Sequence, residues 1–239
     1  MASEQFTLAL FNLENTTSVT ILDPLVAQMT SYEPDFVLFT NVSMEPHFTK
    51  VLFNHLKARK YISDHFAPLG AEGHGKLKTR EVLFRRNTLF IAASVTSTCF
   101  DGSFYGFRTY KYSLDSKNER SIAIKTYTLP ERIEPHHRRS AIDTLTKGDL
   151  DLRCPEVVIS DPRIMEWDDS PPPKEWSDLY DFFGSPKEEQ NFDGSRRDRI
   201  WFRTGSARPV GLTSTTIDDP HNKLAGHKSI TIGKLGWCS

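Results

Sequence analysis

Apolar residues along this chain fall in short runs that alternate with segments of helical spacing. Phe6-Thr7-Leu8-Ala9-Leu10-Phe11 is the first such run and predicts a buried strand that stops at Asn12. Residues 22–32 carry apolar positions at helical spacing, with Asp23 as the expected N-cap and Pro24 at the first helical position. Pro34-Asp35 then leads into Phe36-Val37-Leu38-Phe39, a second buried strand ending at Thr40-Asn41. Residues 46–60 predict a helix that is basic at its C-terminal end, as the helix dipole prefers. After a glycine-rich loop at 70–75, strand-like runs at 81–86, 88–96, 104–113 and 120–128 keep the rhythm of an antiparallel sheet. A helix over 136–147 and a strand over 156–160 follow. SPPPKEW at 170–176 reads as a rigid connection. Segments 178–184, 199–203 and 227–232 complete the pattern. Two strand–helix units around a run of antiparallel strands predict a layered α/β sandwich, with residues 1–239 as one domain.

Composition narrows the classes without changing that picture. The chain has 239 residues, 38% hydrophobic and 26% charged, which excludes wholesale disorder. Its net charge of −1 provides no global basic field for long duplex nucleic acid, although local patches remain open. Cys99, Cys154 and Cys238 are odd in number and far apart, which suits a reducing compartment better than a disulfide framework. The N-terminus has neither a cationic start nor a long apolar run, and no segment approaches the ~20 apolar residues of a membrane span. These features predict a soluble intracellular protein with no membrane partner, cytoplasmic or nuclear. They leave the oligomeric state open.

Candidate chemistry lies where strands end in polar residues. Five segments share that property: LALFNLEN (8–15), DFVLFTNVS (35–43), VVISDPR (157–163), RRDRIWFR (196–203) and AGHKS (225–229). Their order resembles the motif series of the endonuclease/exonuclease/phosphatase, or DNase I-like, superfamily: W-N-hydrophobic, a strand closing on Q-E, G-D-x-N, R-x-D-x-hydrophobic-F and S-D-H. The resemblance is nearest to the tyrosyl-DNA phosphodiesterase type-two branch, through DLYDFFGSPKEEQNFDG followed by RRDRIWFRT. It implies a four-layer α/β sandwich of two central mixed sheets flanked by helices. It also implies site roles: Asn12 helps hold the phosphate and the water nucleophile, Asp161 positions or deprotonates the nucleophile, and His227 stabilises charge on the scissile phosphate. Asp198 stands behind that histidine and would fix its tautomer.

The departures from the family pattern point to lost metal chemistry. Asn41 stands where the family's metal-binding glutamate is expected, Arg163 replaces the asparagine of G-D-x-N, and Gly226 replaces the aspartate of S-D-H. Mg²⁺ is held mainly through one or two carboxylates plus substrate phosphate. A guanidinium beside Asp161 would add repulsion on the order of 1–4 kcal/mol at ~4 Å. No metal or other cofactor is therefore expected. The pocket would still suit an anion or a nucleic-acid end, with Arg163 as a permanent cation that binds phosphate bidentately. HHRR at 136–139, which includes Arg138, with Lys125 and Arg132 could grip further phosphates, although a charge run on a helix is more often a solvated face.

The sequence supports several functions. The first is a diverged superfamily member repurposed for metal-independent acid–base chemistry. One concrete version is a transferase on the aminoacyl end of tRNA, such as a cyclodipeptide synthase, in which Glu14, Asp168 or Asp169 would receive a cationic amino acid; a small-molecule substrate is the sibling version. Residual Mg²⁺-dependent phosphodiesterase activity, with Glu14 or Glu45 supplying the missing carboxylate, and a non-catalytic binding protein are the alternatives. Phe104, Tyr105, Phe107 and Tyr110 interleaved with Arg108 and Lys111 could stack bases, but the packing of a strand is the better account.

Overall fold

The computed structural model describes residues 5–13, 16–43, 45–64, 79–86, 91–99, 106–113, 121–128, 135–147, 154–161, 174–184, 199–217 and 229–238. The first apolar run forms β1 (Gln5–Asn12). A single 3₁₀ turn then leads into α1 (Leu22–Ser31), β2 (Phe36–Ser43), α2 (Pro46–Ala58) and the short β3 (Tyr61–Ile62). The antiparallel run follows as β4 (Thr79–Arg86), β5 (Ile91–Cys99), β6 (Gly106–Ser113) and β7 (Ser121–Thr128). The chain continues through α3 (Pro135–Thr146), β8 (Glu156–Asp161), β9 (Trp176–Asp178), α4 (Leu179–Phe183), β10 (Arg199–Arg203), β11 (Ala207–Thr216) and β12 (Ser229–Trp237).

Two six-stranded sheets result, in the orders β11-β12-β1-β2-β4-β3 and β5-β6-β7-β8-β10-β9. Each sheet has one parallel pair joined through a helix, β1–α1–β2 in the first and β7–α3–β8 in the second. The remaining pairs are antiparallel. Period-two alternation decides which face each residue takes. Phe6, Leu8, Leu10, Phe36 and Leu38 meet Ile122, Ile124, Val157, Ile159 and Ile200 in the space between the sheets. Ala9, Phe11, Val37, Phe39 and Val42 turn the other way, against Leu25, Met29, Phe48 and Leu52 of α1 and α2. On the far side of the second sheet, Lys125 of β7 donates to the carbonyls of Leu145 (2.9 Å) and Lys147 (3.1 Å), and Trp176 Nε1 donates to Thr146. The order of layers is therefore helix, sheet, sheet, helix. No described helix is long and apolar enough to cross a membrane.

Three local features correct or complete the expectation. Helix α1 starts a residue before Asp23, out of the 3₁₀ turn, so Asp23 is not its cap; its carboxylate instead accepts from Arg59, the C-cap of α2, at 3.0 Å. The segment from Asp178, whose type the pattern left open, is a short helix with Asp178 as its cap, accepting from Tyr180 N at 2.9 Å. Lys125 is buried on the helix-facing side of the second sheet, paired with Glu156, and is thereby removed from any phosphate-gripping role.

Two stability predictions follow from this packing. A Cβ on Gly233 would lie 2.8 Å from Leu179 Cδ2 and 3.0 Å from Ile200 Cδ1. Gly233→Ala should therefore lower unfolding free energy by about 1–3 kcal/mol in a denaturant titration. Burial raises the Asp35 carboxyl above its ordinary value, opposed by the hydrogen bond from Thr7 N at 2.8 Å and by Arg86. Because the folded state holds that proton more tightly than the unfolded chain, ionisation of Asp35 removes stability as pH rises from 3.8 through the raised folded value. Asp35→Asn, which keeps the acceptor, should gain on wild type across that window. A stability difference that does not change with pH would refute this.

Candidate functional site at the inter-sheet rim

At one end of the space between the sheets the core changes from apolar to polar. Along β1 the inner face runs Phe6, Leu8, Leu10 and then Asn12; along β2 it runs Phe36, Leu38 and then Thr40, which pairs with Asn12 in register. A β-bulge follows. Phe39 pairs with Val82 and Val42 with Arg80, so Thr40 and Asn41 together oppose the single residue Glu81 of β4. Asn41 takes a left-handed backbone with φ of 50°. Bulges of this kind re-aim a side chain. Here regular alternation would have turned Asn41 toward α1 and α2, but the bulge brings it to Asn12, and Asn41 Nδ2 donates to Asn12 Oδ1 at 2.9 Å. Both amides are buried.

The second sheet supplies the opposite wall. Arg108 of β6 reaches across and donates through Nη1 to the backbone oxygen of Glu81 at 3.3 Å, at the bulge itself. Thr126 of β7 lies opposite Arg108 in register, and Tyr110 follows two residues along β6. Burial pushes the Tyr110 phenol above its ordinary value, while the nearby Arg108 guanidinium opposes that shift and Glu81 adds to it. It is a neutral hydroxyl at physiological pH. Four buried atoms in this region complete no hydrogen bond of good geometry: Thr40 Oγ1, Arg108 Nε, Tyr110 Oη and Thr126 Oγ1. Buried polar atoms are normally satisfied, so these four are the groups of the rim with bonding capacity left over.

Solved structures match this arrangement over nearly the whole chain. An endonuclease/exonuclease/phosphatase family protein from Bacteroides thetaiotaomicron has a TM-score of 0.73 at 14% identity, covering 98% of each chain. TDP2 of D. rerio complexed with a single strand DNA product has a TM-score of 0.70 at 12% identity, covering 98% of this chain and 100% of that one. The human Nocturnin catalytic domain with a bound sulfate anion has a TM-score of 0.70 at 12% identity, covering 98% and 94%. The fold is that of the endonuclease/exonuclease/phosphatase proteins. No family model matches the sequence, and no curated protein sequence matches it.

Within this DNase I-like fold the site residues expected from sequence divide into two groups. Asn12 and Asn41 are brought into direct contact. Asp161 closes β8, paired with Thr128 of β7. Arg138 lies in the first turn of α3. Glu14, Arg163, Asp168, Asp198 and His227 lie outside the described residues, as do Arg132, Asp169, Phe104 and Tyr105. Glu45 is exposed at the start of α2. Phe107 and Tyr110 are buried, as the packing account of β6 requires.

Sequence reasoning weighed Arg108 only as part of a base-stacking strand and set it aside for strand packing, and it missed Glu81. A signal existed: each is a charged residue in the same period-two register as a core residue of its strand, Glu81 with Leu83 and Arg108 with Tyr110 and Tyr112. The Asn12–Asn41 pair contributes two neutral amides, and Glu81 is the carboxylate facing the bulge, with Arg108 beside it. Among the described residues that donor set pairs one carboxylate with one guanidinium, less negative charge than a divalent ion needs. Its polar hydrogens and one guanidinium fit an oxyanion.

Proposed function

We propose that this chain is a diverged protein of the endonuclease/exonuclease/phosphatase fold that binds an anion or nucleic-acid end at the inter-sheet rim and performs acid–base chemistry there without a resident divalent ion. The observation carrying this reading is the buried amide pair of Asn12 and Asn41. A bulge aims a neutral amide where the resemblance calls for a carboxylate, which supports chemistry that does not rely on Mg²⁺. The charges of Glu81 and Arg108 cancel, so the described rim supplies no net attraction for a cation. Two fold relatives support an anionic ligand, one bound to a DNA product and the other to sulfate.

The chemistry then rests on Asp161 and His227, in the roles the resemblance gives them. Asp161 takes a proton from the attacking group, and His227, held by Asp198, steadies the charge that develops. Arg163 and Arg138 add fixed positive charge for the ligand. The test is to purify the protein with cellular extract in chelator, identify bound molecules by mass spectrometry, and titrate Mg²⁺ and Mn²⁺ by calorimetry. Retained nucleic acid or anionic metabolite with no metal heat supports the reading. Enrichment of tRNA would select the version that acts on an aminoacyl end. Metal binding coupled to phosphodiester cleavage would replace the proposal with a phosphodiesterase.

A further inference from the structure

We draw no further inference here: the strongest candidate, the exposed Phe182–Phe183 pair of α4 beside the edge strand β11, carries nothing, because it is an unpartnered apolar patch and nothing in the structure shows what covers it.

Discussion

Glu156→Ala should destabilise the protein by about 3–5 kcal/mol, the largest loss expected from any single charge deletion here. Glu156 is 4% exposed and accepts from Arg203 at 2.9 Å, with Lys125 at 3.5 Å. Removing it leaves two buried cations without their shared counter-charge. The ion pair that Arg203 keeps with Glu175 is weak, because that carboxylate is largely exposed and therefore screened. Lys125 would retain the two carbonyls at the end of α3, which cannot neutralise it. Equilibrium unfolding in urea measures the effect. Replacing all three groups with apolar residues of similar volume should recover most of the loss, because the desolvation cost disappears along with the attraction. A single alanine substitution that proved nearly neutral would show that water reaches this network. The same three residues tie α3, β7 and β8 together, and β8 is the strand that ends at Asp161, so the network also holds one wall of the site.

The second large effect is expected at Asn41. Asn41→Val should lower stability by about 2–4 kcal/mol, about 1–3 from forcing a β-branched residue into a left-handed backbone and about 1 from the lost bond to Asn12. Asn41→Gly separates the two terms. Glycine adopts a φ of 50° without steric cost, so only the hydrogen-bond term of about 1 kcal/mol should remain. Both variants should weaken ligand binding, because Asn12 loses the partner that orients its amide. Equal stability for the valine and glycine variants would mean that the bulge relaxes freely and does not hold Asn41 in place.

The framework was legible in the sequence wherever one physical signal dominated. The runs at 6–11, 36–39, 156–160 and 199–203 became strands because each is apolar enough to require burial, and the helices over 22–32, 46–60 and 136–147 formed within two residues of expectation. β11 was missed. Its residues are half exposed on both faces and include Pro209 and Gly211, so no alternation marks it; it exists because β12 offers an edge to pair with. Asn12 and Asn41 could be placed at strand ends by pattern, and the family resemblance marked Asn41 as a departure.

What the sequence determined by itself is the set of elements and the faces they bury. Those depend on residue type and short-range period, which a chain carries wherever it folds. Only the tertiary structure decided that Asn41 bonds Asn12 and that a cation from the opposite sheet lies against the bulge. Both depend on how β2 registers against β4 and how the sheets stack, and those contacts join residues remote in sequence, where local periodicity contains no information.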